Sequence, residues 1–444
     1  MHKRALSFLI LAICSDAILG QSTSVSEVRE RAALSRVAEN VYAAARPRLL
    51  QVRTLVTAAG RQSSIGSGFL VSPDGLAITN YHVVSQYALE PATYRLEYTA
   101  PNGFRGMLQL LAIDVANDLA VVRLDKPGRP YFSFDLRALR GSLPKGERLY
   151  SMGNPLDLGF TIVEGIYNGL VERSYTERVH FSGALNPGMS GGPTVTAGGH
   201  VVGINVARRL GAELVSFLVP ARFAAALIDR AAHAEPLTPA NARAEIGRQL
   251  ADWQRDLYRT IDERGFRAAV LGPYDAPESV APWFSCWART NADDVPRPRA
   301  TVNSTNCDTD TRLYIARDLG TGTISISHSY ARSLDLNSFQ FAAFLSKQYQ
   351  PSWMGGWSRK RQTRQRCHED FVAASKSQNR PSLRAVWCAR AYREYEGIYD
   401  VSLLLVTQDR SNEALVSKLT MHGVAYDNAL TLGRRFMDAI QWSK

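Results

Sequence analysis

Cysteine is scarce in this chain, five in 444 residues, and Cys14 falls in an N-terminal apolar run. The other four, Cys286, Cys307, Cys367 and Cys388, lack the close pairing with which a zinc knuckle gathers its ligands. A metal site is therefore not expected, although His368 follows Cys367, and no cofactor is implied. Long apolar runs are missing too. Beyond the N-terminus no segment is long enough to span a bilayer, which excludes a transmembrane helix once a leader is removed. Internal repeats are absent apart from the similar cysteine spacing. Acidic residues are in deficit, 41 against 52 lysines and arginines, for a net charge of +11. The 45% hydrophobic content supplies cores for two or three domains and excludes a disordered chain.

What is present at the N-terminus reads as an export signal. Met1-His2-Lys3-Arg4 is basic, and Ala5 to Ile13 is apolar but short. Leu11-Ala12-Ile13-Cys14 resembles a lipoprotein box, yet Ile13 is bulky where cleavage needs a small residue, so cleavage near Gly20 is expected. A periplasmic or secreted location favours disulfides among the four remaining cysteines. Sequence alone leaves three connectivities open, of which 286–307 and 367–388 close two loops of equal size.

The densest chemistry lies in Asn186-Pro187-Gly188-Met189-Ser190-Gly191-Gly192-Pro193. A serine hydroxyl becomes a useful nucleophile only where the backbone bends to expose it beside donors aimed at a developing oxyanion. Gly188 permits that bend, and the N–H groups of Gly188 and Ser190 are the candidate oxyanion hole. Upstream, Gly66 to Val71 and Leu76 to Val84 read as two strands joined by the Pro73-Asp74-Gly75 turn, with His82 at the end of the second. An imidazole titrating near neutrality can take the Ser190 proton and return it to a leaving amine. A carboxylate to orient it is Asp118, which directly precedes the apolar run Leu119 to Val122; Asp114 is the rival.

These segments, with Thr79-Asn80-Tyr81-His82, Asn117-Asp118-Leu119-Ala120, Gly153-Asn154-Pro155, Gly203-Ile204-Asn205 and Phe217-Leu218-Val219-Pro220, resemble the HtrA/Deg branch of trypsin-like serine proteases in order and separation. The resemblance covers about residues 35 to 233. It implies an all-β, chymotrypsin-like double β-barrel with a cleft between barrels, and a triad of His82, Asp118 and Ser190. It also places Ala184 at the floor, and Gly203, Ile204, Asn205 and Val206 on the walls, of the pocket for the side chain before the cut bond. No carboxylate faces that pocket, so small or aliphatic side chains are expected there rather than Lys or Arg. Two departures stand out. Met189 replaces the aspartate with which digestive members anchor a new amino terminus, and no PDZ-like pattern follows residue 233.

The expected organisation is a signal peptide over 1–20, a helical segment over 21–45, the protease domain over 46–233, a linker and helix over 234–264, and an α+β domain over 265–444. Thr238 and Pro239 open the helix before Gly265. Beyond it, 312–316, 321–328 and 401–406 read as strands, while 412–422 and 432–442 read as helical. The run Arg359-Lys360-Arg361-Gln362-Thr363-Arg364-Gln365-Arg366, close to Trp353 and Trp357, suits an anionic envelope component; nucleic acid is the weakest partner for an exported chain. Two functions follow: a serine endopeptidase acting on proteins or peptides, or a protease-fold protein whose task is binding or envelope anchoring.

Overall fold

The computed structural model describes residues 36–126, 128–208, 215–348 and 356–443. The signal stretch and most of segment 21–45 lie outside these; helix α1 occupies 36–45.

Short β-rich runs broken by Gly, Pro and Asp form two closed six-stranded antiparallel barrels. The first holds β1 (Leu49–Val56), β2 (Arg61–Leu70), β3 (Leu76–Thr79), β4 (Tyr94–Thr99), β5 (Arg105–Asp114) and β6 (Leu119–Leu124), closing in the order β1-β2-β3-β6-β5-β4. The second holds β7 (Arg148–Gly153), β8 (Thr161–Leu170), β9 (Val179–Phe181), β10 (Pro193–Val195), β11 (Val201–Arg208) and β12 (Ser216–Pro220), in the order β10-β11-β12-β9-β8-β7. Closure leaves no unpaired edge. The barrels share one apolar seam in which Phe69, Ile78 and Val121 meet Met152, Ile204 and Val219. Helices α2 (Tyr81–Leu89), α3 (Leu136–Leu139) and α4 (Ala221–Ala231) decorate them, and α4 lays Ala224, Leu227 and Ala231 into that seam.

One sequence expectation is corrected here. His82 does not end a strand: β3 stops at Thr79, and His82 is the second residue of α2. The β-branched pair Val83-Val84 suggested extended backbone, but both side chains are buried in the barrel core, and that packing overrides their weak preference.

The C-terminal half is an α+β unit. Helix α5 (Pro239–Arg264) starts where Thr238 Oγ1 accepts the Asn241 N–H at 3.2 Å and ends at Gly265, whose φ is +72°. Strands β13 (Ala268–Leu271) and β14 (Tyr274–Pro277) follow, then β15 (Phe284–Thr290), β16 (Ala300–Thr309), the hairpin β17 (Leu313–Ala316) and β18 (Leu319–Thr321), and β19 (Ile324–Ser333). After α6 (Ser338–Gln348) come β20 (Arg366–Val372), β21 (Leu383–Ala391), β22 (Ile398–Thr407), β23 (Glu413–Ala425), α7 (Tyr426–Asp438) and β24 (Gln441–Trp442). Seven strands make one antiparallel sheet in the order β15-β16-β19-β23-β22-β21-β20.

The expected helix over 412–422 is therefore strand β23, and the one over 432–442 ends at Asp438 before Gln441–Trp442 pairs with β14. The first error has a clear cause. β23 is the central strand of the sheet, buried along most of both faces, so its pattern lacks the strict alternation that marks a half-exposed strand. Disulfides Cys286–Cys307 and Cys367–Cys388 join directly opposite residues of β15/β16 and β20/β21, the strand pairs at the two edges of this sheet.

The two halves are not beads on a linker. The interior of the first barrel runs on through Tyr81, Val84 and Leu89 of α2 into Ile246 and Leu250 of α5 and Leu313 and Ile315 of β17.

Candidate active site

Asp118 and Asp114 do different things. Asp114 accepts the backbone N–H and side-chain Nδ2 of Asn117, at 3.0 and 2.9 Å, and so closes the turn after β5. That turn ends with Asp118 in the left-handed region, at φ +60°, a conformation Asp tolerates better than most residues. Its carboxylate spans two parts of one residue. Oδ2 lies 2.7 Å from His82 Nδ1, and Oδ1 accepts the His82 backbone N–H at 2.9 Å. The second bond satisfies one of the orphan donors at the start of α2. The Asp118 carbonyl accepts from Asn80 Nδ2 at 2.7 Å and from the Tyr81 N–H at 3.2 Å, so the turn and the helix start are laced together.

With a carboxylate on Nδ1, the proton sits there and Nε2 is left as the basic nitrogen. Burial works against a charged ring, but the charge of Asp118 and its hydrogen bond outweigh it and raise the His82 pKa above its ordinary value.

Ser190 belongs to the loop before β10. Its carbonyl accepts the Ser67 N–H at 2.7 Å. A Cβ on Gly66 would lie 2.5 Å from Val83 of α2 and 3.0 Å from the Ser190 carbonyl, and one on Gly191 would lie 2.9 Å from the Asn80 nitrogen. These glycines thus let the serine loop rest against the residues that flank His82. The Ser190 hydroxyl donates to the Val206 carbonyl at 3.3 Å; hydroxyls at such sites commonly turn to the base only when substrate is in place.

Gly188 is the third residue of a turn closed by the Met189 N–H on the Asn186 carbonyl, with Pro187 second and Gly188 at φ +97°. This is the type II arrangement, which requires glycine there. The Pro187 carbonyl accepts the Leu156 N–H at 2.9 Å, so across the trans peptide the Gly188 N–H points the opposite way. Among the described residues neither the Gly188 nor the Ser190 N–H is spent on a partner, as donors kept for an oxyanion must be.

The sequence pattern marks neither Ser67 nor Asn205 as a residue that holds this loop. Ser67 Oγ donates to the Gly188 carbonyl at 2.7 Å and accepts the Asn154 N–H at 2.9 Å. Asn205, expected on the pocket wall, is instead 1% exposed and wholly committed inward. Its Nδ2 donates to the Met152 and Met189 carbonyls and its Oδ1 accepts from Ser151 and Thr194. Ile204 is likewise packed in the seam between the barrels, so neither side chain faces a substrate; Gly203, in the same strand, contributes none. Ala184 is exposed in the loop before Ser190 rather than at a closed floor. Met189 is buried in the second barrel's apolar cluster, where an aspartate would have no partner, and Asn205 does the anchoring in its stead.

Beside the dyad lies a cavity of about 320 Å³, lined by His82, Asp118, Arg178 and Val206 and, from the C-terminal unit, by Asp310 to Arg312 and Tyr314. Tyr314 stands edge-on to the His82 ring at 5.9 Å, and the buried Tyr81 hydroxyl donates to the Ile315 carbonyl at 2.8 Å. The basic run is partly spent on the same junction. Lys360 pairs with Glu90 just after α2, and Arg361 reaches Glu90, Asp318 and Glu394 at 3.0, 3.1 and 2.6 Å. Among the described residues the cluster Glu278, Cys286 and Cys307 approaches metal-binding geometry, but both sulfurs are in a disulfide. No helix of the described residues is long and apolar enough to cross a membrane.

Two six-stranded barrels, with a carboxylate-bound histidine against a glycine-flanked serine, are the architecture of the trypsin-like fold. Residues 66–204 match the family described as trypsin-like peptidase domain, and DegP/HtrA-like serine proteases are among the chain's homologues. A probable periplasmic serine endoprotease, DegP-like, of Chlamydia pneumoniae is 32% identical over 173 residues, 37% of this chain and 34% of that protein. The putative serine protease HhoB of Synechocystis is 34% identical over 169 residues, 36% of this chain and 38% of its own. The chain thus spans about a third of the length of the curated relatives it matches. The solved serine endoprotease of Yersinia pestis aligns at TM-score 0.38 and 24% identity, covering 44% of this chain and 65% of that one.

Proposed function

We propose that this chain is an exported serine endopeptidase that cleaves proteins or peptides through Ser190, His82 and Asp118. The observation that carries the reading is the carboxylate of Asp118 bonded to both the ring and the backbone of His82, on a helix that rests against the Ser190 loop.

In this mechanism Ser190 Oγ adds to the carbonyl carbon of the scissile bond while its proton passes to His82 Nε2. The oxyanion takes the Gly188 and Ser190 N–H groups, and Asp118 stabilises the imidazolium. The C–N bond then breaks, and the proton leaves His82 for the departing amine. Water, deprotonated by the same nitrogen, hydrolyses the acyl-enzyme and restores the serine. Small or aliphatic side chains before the cut bond are favoured, since Val206 of β11 offers an apolar surface beside His82. Export is supported by the basic-apolar N-terminus, by the paired cysteines and by relatives named periplasmic. An anionic envelope component remains a proposed partner of the basic run through Arg359, Arg364 and Arg366.

A fluorophosphonate should label Ser190 in the mature protein, and an unfolded protein substrate should be cleaved. Absence of labelling in a folded preparation would favour the alternative, a protease-fold protein that binds or anchors without hydrolysis.

A further inference from the structure

The cavity beside His82 is not made by the barrels alone. Tyr314, Arg312 and Asp310 come from the β16–β17 connection and from β17, more than 100 residues after Ser190 in sequence. Val206, the wall residue that is only partly buried, lines the same cavity. The cavity therefore adjoins the region assigned to the residue before the cut bond and lies beside His82.

Its formal charges balance, Asp118 and Asp310 against Arg178 and Arg312, but its hydrogen-bonding capacity does not. Both carboxylate oxygens of Asp118 are taken by His82. One further carboxylate, Asp310, and two guanidiniums, Arg178 and Arg312, also line it. Arg178 donates to the Glu177 and Ala116 carbonyls, at 2.9 and 3.5 Å, and forms no ion pair among the described residues. Burial disfavours its charged form, which Asp118 and Asp114 only partly offset. Arg312 likewise has no ion pair there. Its guanidinium is laid over Gly320 of β18, where a Cβ would come within 2.5 Å of its Nε, so Arg312 stands between this cavity and a second one on the β18 side, and lines both. A guanidinium offers five donors in a fork that matches a carboxylate, and most of those in this cavity are unspent.

We infer that the C-terminal domain forms one wall of the substrate cleft, and that the cavity receives an acidic side chain within four residues of the cut bond, bound by Arg178 and Arg312. This rests on the endopeptidase reading above. Tyr314 supplies an apolar surface for the stem of that side chain, and Asp310 limits the affinity by opposing it.

Peptide-library profiling of the full mature chain tests it. At one of those positions Asp or Glu should exceed Asn or Gln by about tenfold in kcat/KM, a single charge-assisted contact. Arg312→Gln should bring that ratio toward one, and Asp310→Asn should raise it. A flat profile, a preference for Lys or Arg, or a ratio unmoved by both substitutions overturns the inference. Fluorophosphonate labelling separates the two failures: cleavage with labelling but no acidic preference removes the cleft wall alone, whereas absence of both labelling and cleavage removes the endopeptidase reading beneath it.

Discussion

At the residue scale, the bonds of Asp118 make quantitative demands. Replacing Ser190 by Ala should abolish turnover, and Asp118→Asn should lower kcat by roughly 10⁴-fold, since an amide would leave the ring in the wrong tautomer. Asp114→Asn retains an acceptor for the Asn117 N–H and should be mild; a severe loss there with a mild one at Asp118 would reverse the assignment. The raised pKa of His82 gives a second check. The ring must be neutral to accept the serine proton, so kcat/KM should fall as pH drops through a value above 6.5, the ordinary figure. In Asp118→Asn the Coulombic support is gone, and the acid limb of whatever activity remains should move to lower pH. An acid limb at or below 6.5 in the unmodified enzyme would count against this electrostatic account. Each of these candidates could be singled out in the sequence because the proposed chemistry demands its residue type. Ser67 and Asn205 could not, because a buried hydrogen-bonding role leaves no pattern in a single sequence.

At the scale of elements, legibility follows periodicity. The alternating strands and the capped α5 could be read directly, whereas β23, buried on both faces, passed for a helix and α2, only nine residues long, passed for a strand. What the loop before β10 needs was also hidden. Ser67→Ala removes both the donor to the Gly188 carbonyl and the acceptor for Asn154, so the Gly188–Met189 peptide, which links the two candidate oxyanion donors, loses its tether. A fall in kcat on the order of 10²-fold is expected, with KM little changed, because the loss is confined to the transition state; steady-state kinetics decide it. The sheet carries its own prediction. His328 Nε2 donates to the Pro277 carbonyl and Nδ1 accepts from Ser417 Oγ at 2.8 Å, and burial lowers its pKa to about 4. A depressed folded-state value means that the unfolded chain binds the proton better. Stability therefore decreases as pH falls from about 6.5 to about 4, by about 3 kcal/mol in all. Thermal unfolding followed between pH 7 and 4.5 should show this loss, and His328→Asn should flatten that part of the curve.

For the whole molecule, the site depends on how the C-terminal unit is docked. Helix α2 carries His82 on its first turn, and its last turn is held from the other half of the chain, the Leu89 carbonyl accepting from Arg243 of α5 at 3.2 Å. A cation at that end also suits the helix dipole. Just beyond, Arg361 is 5% exposed and gathers Glu90 from the protease domain with Asp318 and Glu394 from its own. Its three partners are partly open to water, so removing Arg361 leaves solvated carboxylates and costs about 1–3 kcal/mol, the scale of lost hydrogen bonds to charged groups. Arg361→Ala would leave three carboxylates facing one another across the junction. Because the first barrel's core continues into α5 and β17, that cost should fall on the protease domain too. The expected result is one cooperative thermal transition in the unmodified chain, shifted down in Arg361→Ala, together with a loss of fluorophosphonate reactivity at temperatures where the variant is still folded. Arg361→Lys keeps the charge but not the three-way fork, and should fall between. Two separate transitions, with serine reactivity unaffected by Arg361→Ala, would show instead that the catalytic helix is held by the barrel alone.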